Sequence, residues 1–350
     1  MDINSCLSYN LFLRNQNTKK FKDKKIVCIG GGTGLSVILK GLKEYTDNLT
    51  AIVTVADDGG GSGTLREELN ILPPGDIRNC ILALADSEPI MEELIGYRFS
   101  EGGLKGQSFG NLLLAAMTEV CKGDFVKAVR EVSNVLKVKG TVLPVTESDV
   151  NLAALLENGM EVIGESEIGK SILYHGSKIS KVWLENKDKS KREIKPLGET
   201  LEAIESADII TLGPGSLYTS IIPNLIVPGI KEAIKSAKAP VIFINNIMTQ
   251  PGETDGYTAY DHYRAIADHT GGDLIDYCIM NNGETEKDIL IKYIEDGAAE
   301  VIPDKERFEG SKTKVIEDNM VLITPKGTLR HKTSKIVDII YDILKKQEIN

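Results

Sequence analysis

The chain predicts an α/β protein of Rossmann-like, three-layer build, a mostly parallel sheet between helices with a small strand-rich excursion. Three observations carry this expectation. Apolar runs of strand length alternate with amphipathic runs of helix length from residue 25 onward. Two glycine-rich loops, Gly30-Gly31-Gly32-Thr33-Gly34 and Asp57-Asp58-Gly59-Gly60-Gly61-Ser62-Gly63, each follow such a strand. A third, Gly213-Pro214-Gly215-Ser216, follows another.

Taken in order, Ile26–Ile29 reads as a strand, and Leu35, Ile38, Leu39 and Leu42 then share one helical face. Ile52–Val55 is the next strand, which makes a β-α-β unit with a right-handed crossover. Thr64 to Glu67 reads as a capping box that runs the second glycine loop into a helix ended by Pro73-Pro74. Gly75-Asp76 opens another helix with Ile77, Ile81 and Leu84 on one side, and Asp76 reads as its N-cap. Gly110-Asn111 precedes the apolar helical run Leu112–Met117, and 124–137 is amphipathic.

The stretch 140–196 changes character. Short strand-like pieces at Glu161–Gly164, Ile179–Leu184 and Glu193–Pro196 alternate with Gly, Ser and Lys clusters, and Lys187–Arg192 reads as an exposed hairpin tip. The α/β rhythm then resumes with helix Glu199–Ser206, strand Asp208–Leu212, helix 229–237 and strand Pro240–Ile244. A capping box at Thr258 and Asp261 starts a helix to about Ala267. Strand Leu274–Met280, helix Thr285–Asp296, strand Met320–Thr324 and a helix from Thr333 to about Lys345 follow. Nothing between 25 and 345 reads as an interdomain linker, so one domain is expected there. The polar residues 1–24, with the short patch Leu11-Phe12-Leu13, read as a poorly ordered extension, with a membrane or partner-binding role as the alternative.

Composition narrows the function. The 350 residues carry a net charge of −10, which repels a nucleic-acid backbone and argues against DNA or RNA as partner. The five cysteines are odd in number and form no CxxC pair, which fits free thiols in a reducing cytoplasm rather than a disulfide frame or zinc site. No apolar stretch approaches the ~20 residues of a membrane span.

Loops free of Cβ atoms at the carboxyl ends of buried strands let backbone N–H groups approach a phosphate. Gly30, Gly31, Gly32, Thr33 and Gly34 are candidates of this kind. They make neither a dinucleotide fingerprint, whose third glycine would fall on Leu35, nor a Walker loop, since no Gly-Lys-Ser/Thr follows. In the second loop, Gly60, Ser62 and Gly63 are joined by two carboxylates, Asp57 and Asp58. Three roles compete for the carboxylates: a magnesium ligand, an acceptor for ligand hydroxyls, or a cap for the loop's own N–H groups. Arg66 either reaches a phosphate or pairs on a solvated face. Arg78 and Asn79 are further contact candidates, and Asn111 is an N-cap or points into the crevice. Gly213, Pro214 and Ser216 offer a second anion loop, and Asn245, Asn246 and Thr249 close the next strand with groups able to read a base or sugar. All of these lie where parallel sheets bind ligands. None of the four histidines sits in a metal pattern, and no nucleophile with a base is evident.

The motifs Gly30–Leu35, Thr54–Gly63, Pro74–Asn79, Leu212–Ser220 and Asn245–Thr254 resemble the gluconeogenesis factor (YvcK-like) family, related to the transferase CofD. Gly61 departs from the serine usual there. The resemblance implies a CofD-like fold over about 25–345 and a cytoplasmic, non-enzymatic binder of UDP-sugars such as UDP-N-acetylglucosamine, needed for cell shape and cell-wall synthesis on gluconeogenic carbon sources. It implies no required cofactor and offers Thr333 as a match for a site used by a serine/threonine kinase. A homo-oligomer is expected. The alternative is a CofD-like transferase that moves a phosphorylated group from a nucleotide diphosphate donor with Mg²⁺ at Asp57 and Asp58.

Overall fold

A computed structural model describes residues 21–349, apart from 188, 189, 191, 192 and 273. Most of the expected N-terminal extension, and most of the tip expected at Lys187–Arg192, lie outside the described residues.

Strand β1 (Ile26–Gly30) feeds helix α1 (Gly32–Leu42), and β2 (Leu49–Val53) returns parallel to β1. Helices α2 (Gly60–Leu69), α3 (Gly75–Leu84), α4 (Pro89–Gly96), α5 (Phe109–Val120) and α6 (Phe125–Val135) intervene before strand β3 (Thr141–Pro144). The excursion follows: β4 (Val150–Leu156), β5 (Glu161–Ile163), the short helices α7 (Glu165–Ile168) and α8 (Ser171–His175), and β6 (Ile179–Asn186). The chain then returns to the main layer through α9 (Gly198–Glu205) and β7 (Ile209–Leu212). A π-helical turn at Leu217–Ile221 leads to α10 (Ile222–Leu225), α11 (Ile230–Ser236) and β8 (Val241–Ile244). Helix α12 (Ala259–Thr270), β9 (Tyr277–Asn281), α13 (Lys287–Glu295), β10 (Lys314–Asp318), the pair β11 (Val321–Ile323) and β12 (Leu329–His331), and α14 (Thr333–Ile349) complete the order.

The main sheet runs β10-β9-β8-β7-β1-β2-β3, and all its pairs are parallel. Its strands are short β-branched runs buried on both faces, as crossover helices require. Val27 and Ile29 belong to the core on one face, Ile26 and Cys28 to the core on the other, and so the sheet is the middle of three layers. The order reverses between β1 and β7. Loops leaving the carboxyl ends of these neighbours diverge there and open a crevice.

The helical face Leu35, Ile38, Leu39 and Leu42 is buried as the spacing predicts, and Thr258 and Asp261 form the expected capping box. Several local readings are corrected. Helix α2 begins at Gly60, so Thr64 is no cap; it lies one turn inside, and its hydroxyl donates back to the Gly60 carbonyl at 3.1 Å. The same helix ends at Asn70 in the left-handed conformation, before the proline pair. Thr141–Pro144 is an edge strand of the main sheet, because Val142 and Leu143 pack into its core. The antiparallel excursion is therefore β5-β4-β6, within 150–186, with β4 as a central strand beyond the pieces expected from the sequence. Glu193–Pro196 contributes only a bridge between Pro196 and Thr146. Val321–Ile323 pairs with β12 in a separate two-stranded ribbon, and β10, hidden in a charged stretch, takes the edge of the main sheet.

Candidate functional site

The first and third glycine loops meet at the switch point. The Asn224 side chain donates to the Gly30 carbonyl at 3.0 Å, and Asn246 donates to the Gly215 carbonyl at 2.9 Å. Helix α1 lies so close to the third loop that a Cβ at Gly34 would stand 2.5 Å from the Pro214 carbonyl oxygen. Gly34 is thus a contact between loops, and α1 begins at Gly32 with Gly31 as an N-cap that offers no side chain. The Gly213-Pro214 peptide is cis, and the Ser216 hydroxyl donates to Gln250 at 2.6 Å.

Between these loops lies a cavity of about 210 Å³ lined by Thr33, Gly34, Pro214, Gly215, Asn246, Tyr293, Arg330 and His331, among others. The Tyr293 hydroxyl accepts from the Leu329 N–H at 2.8 Å, which fixes this half-buried ring on a helix with no fully buried residue. His331 donates from Nε2 to the Asn245 carbonyl at 2.8 Å. Burial pushes its pKa down to about 4, so the ring is neutral. No motif in the sequence marks Tyr293, Arg330 or His331 as site residues. Their only signal is a hairpin-like turn, Pro325-Lys326-Gly327, which returns a short strand toward β8.

The second loop is arranged differently. Asp57 accepts from the Gly59 N–H at 2.8 Å, an Asx turn inside the loop. Both Asp58 oxygens are occupied: Oδ1 accepts from Ser166 N–H at 2.9 Å and Oδ2 from Glu165 N–H at 3.1 Å. Asp58 therefore caps α7 of the excursion. Arg66, 1% exposed, turns away from the crevice and toward β4, donating to Asp149, the Val150 carbonyl, Asn151 and the Asp57 carbonyl. Ser62 is buried, with its hydroxyl accepting from Gly75 N–H at 3.1 Å.

Asp76 is no N-cap; Pro74 holds that position. Its carboxylate instead accepts from the Gly32 N–H and from Asn79, beneath the first loop. Burial, then the charge of Asp57, raise its pKa to about 6. Burial raises Glu253 to about 7; its carboxylate receives the Tyr218 N–H at 2.5 Å at the start of the π-helical turn. Glu165 is raised to about 8 by burial, then by Asp57 and Glu253. Among the described residues no set of three His, Cys, Asp or Glu side chains is arranged to hold a metal ion.

The other candidates divide. Asn246 lines the cavity, whereas Asn245 is buried and donates to the Ala259 carbonyl at 2.9 Å. The buried Thr249 accepts from the Ala299 N–H at 2.8 Å and ties down its own loop. Ser108, and not Asn111, caps α5; Asn111 is 2% exposed with its Oδ1 unpaired. Thr333 is half-buried at the start of α14, and its hydroxyl donates to the Val37 carbonyl at 3.4 Å. No helix among the described residues is long and apolar enough to cross a membrane.

Comparison with known proteins places this geometry. The model of the family described as 2-phospho-L-lactate transferase CofD matches residues 26–321. A putative gluconeogenesis factor of Thermoanaerobacterium thermosulfurigenes is 53% identical over 91% of this chain and 97% of its own. The gluconeogenesis factor of Bacillus subtilis is 48% identical over 92% and 98%. The crystal structure of a UPF0052 family member from Bacillus halodurans superposes with a TM-score of 0.85 at 48% identity, covering 91% of this chain and 99% of that one. The chain belongs to the CofD family, among the proteins named gluconeogenesis factors.

Proposed function

We propose that the protein binds a UDP-sugar, of which UDP-N-acetylglucosamine is the type, as a regulatory ligand rather than a substrate. The observation that carries this reading is the cavity between the first and third loops. At about 210 Å³ it is smaller than the ~300–1,000 Å³ of a pocket that swallows a whole drug-sized ligand. It suits one end of an extended nucleotide. The fixed Tyr293 ring offers a stacking face for a base, and Asn246 and Arg330 offer polar contacts to it. The diphosphate then lies on the N–H groups at the start of α1 other than that of Gly32, which Asp76 holds, and the sugar extends toward Asp57. The absence of a nucleophile with a base in this arrangement supports binding without turnover. In this reading the protein acts in the cytoplasm, in cell shape and cell-wall synthesis during gluconeogenic growth, as a homo-oligomer and a target of a kinase at Thr333. Titration calorimetry with UDP-N-acetylglucosamine tests it: saturable binding is expected, and no heat up to millimolar ligand contradicts it.

One observation favours a second reading, a transferase acting on a nucleotide diphosphate donor. Asp76 lies under the first loop with Asp57 of the second loop near enough to raise its pKa, and Mg²⁺ commonly takes only one or two carboxylates plus substrate phosphates. Asp58, whose oxygens cap α7, is the poorer ligand of the original pair. Donor consumption in the presence of Mg²⁺, read by mass spectrometry, supports turnover; intact donor with every acceptor tried excludes it.

A further inference from the structure

The third glycine loop reads in the sequence as a second anion loop, but in the structure most of its donors are taken by the protein itself. The Gly213 N–H serves the Ile29 carbonyl at 2.9 Å, and those of Ser220 and Ile221 serve the Ser216 carbonyl at 2.9 and 3.0 Å. Pro214 has no N–H to offer. The Tyr218 N–H goes to Glu253 Oε1 at 2.5 Å, and the Thr219 N–H goes to the same carboxylate. The Thr219 hydroxyl donates to Glu253 Oε2 at 3.4 Å. Glu253 is fully buried, and no basic side chain is among the groups that set its charge. A buried carboxylate without a cation is tolerated only where several donors converge on it. Burial raises its pKa, and the Tyr218 and Thr219 donors pull it back.

The carboxylate is held where a rigid turn downstream of β8 puts it. Within that turn the Gln250 N–H donates to Thr254 Oγ1 at 2.9 Å, and the Gly252 N–H donates to Asp255 at 2.7 Å. Gly252 has φ +91°, and a Cβ there would stand 2.7 Å from the Gly169 carbonyl oxygen, so the excursion closes directly on the turn. Toward the cavity, Gln250 accepts from the Ser216 hydroxyl at 2.6 Å. The turn therefore grips the third loop at two points, Ser216 and the Tyr218-Thr219 pair. The gripped stretch, Leu217–Ile221, is a π-helical turn, a geometry frequent at functional sites. Pro214 and Gly215, which line the cavity, lie just before it. Its far end leads to the first loop, since the Asn224 side chain donates both to the Ser220 carbonyl at 2.7 Å and to that of Gly30.

We propose that Glu253 is a positioning residue of the loop cavity: its carboxylate fixes the third loop as a wall of that cavity and, by taking the Tyr218 and Thr219 donors, confines the ligand's anionic group to the first loop. Glu253 does not touch the ligand and acts through the third loop. As far as ligand affinity is concerned, this role rests on the reading of the cavity as a nucleotide-diphosphate site; the grip on the third loop does not.

The test compares wild type, Glu253→Ala, Glu253→Gln and, as control, Glu232→Gln, which weakens the cap of α11. In buffer above the Glu253 pKa of about 7, hydrogen exchange of the third loop is followed by mass spectrometry, and UDP-N-acetylglucosamine affinity by calorimetry. In Glu253→Ala, exchange at Tyr218 and Thr219 is expected to be about tenfold faster and affinity about tenfold weaker. Formate, a carboxylate small enough for the vacated space, is expected to restore both, whereas formamide, neutral and of the same size, does not. Glu253→Gln keeps the volume but turns one acceptor into a donor, so losses of about threefold without recovery by formate are expected. It carries the test if the alanine variant fails to fold. The control is expected to behave as wild type. Unchanged exchange in both Glu253 variants, or losses that formate and formamide leave alike, overturns the proposal. So does a lower thermal midpoint with exchange and affinity unchanged, which would leave Glu253 a purely structural role. A wild type that binds no UDP-N-acetylglucosamine contradicts the proposed function alone, since exchange and its recovery by formate still decide the grip of Glu253.

Discussion

The first and second glycine loops look alike as sequence, each a glycine run after an apolar strand, yet the structure uses them in opposite ways. The first keeps its backbone N–H groups at the head of a helix, with polar partners placed beneath and beside it: Asp76 below, Asn246 and Arg330 across the cavity. The second spends its charged side chains inward. Asp58 caps α7 and Arg66 is buried against β4, so this loop is the bolt that fastens the antiparallel excursion to the main sheet. A glycine run at a strand end thus identifies a place where backbone comes close to something. Whether that something is a ligand or another part of the chain depends on where neighbouring carboxylates and guanidiniums find partners.

Breaking the bolt should have the largest effect. Arg66→Ala leaves Asp149 and several acceptors without their donor, and a loss of about 3 kcal/mol in chemical denaturation is expected, the scale of a broken buried ion pair. A loss under about 0.5 kcal/mol would show that the excursion holds without it. Next is the contact between the first and third loops. Gly34→Ala places a methyl against the Pro214 carbonyl, and about 1–3 kcal/mol of overpacking is expected, with weaker nucleotide-sugar binding because both walls of the cavity move. Asp58→Asn keeps the size of the side chain that caps α7 but removes its charge and one of its two acceptors, and about 1–2 kcal/mol should be lost at the same midpoint slope.

The smallest effect is on pH dependence. Asp76, Glu253 and Glu165 are raised to about 6, about 7 and about 8, so between the ordinary carboxylate range and those values the folded state binds more protons than the unfolded one. Their contribution to stability is therefore complete at acid pH and is lost as pH rises through about 6 to 8. The thermal midpoint should fall across that window, and the Glu253→Gln protein should fall less. A midpoint that rises there contradicts the burial of these groups.

Much of the architecture is legible in the sequence because its signals are local. Buried β-branched runs, the Leu35 to Leu42 stripe and the Thr258 capping box need no knowledge of the rest of the chain. Most of the readings that failed depended on distant partners. Thr64 is the exception: the helix starts a turn earlier, at Gly60, and the Asx turn of Asp57 on Gly59 that precedes it is a local feature. Asp76 resembled an N-cap because the N–H it serves, Gly32, is far off in sequence. Tyr293, Arg330 and His331 reach the cavity from the C-terminal part of the chain, on a bare surface helix and a three-residue strand, with no motif to mark them. Arg66 could be read either way until Asp149 and β4 were in place.

The central claim is that the nucleotide lies between the first and third loops while the second loop holds the fold together. Titration calorimetry of UDP-N-acetylglucosamine into Tyr293→Ala and Asp58→Asn, side by side with wild type, tests it most directly. The account predicts a loss of about tenfold or more for Tyr293→Ala and less than about threefold for Asp58→Asn. The reverse order, with Asp58→Asn the weaker binder, would contradict it.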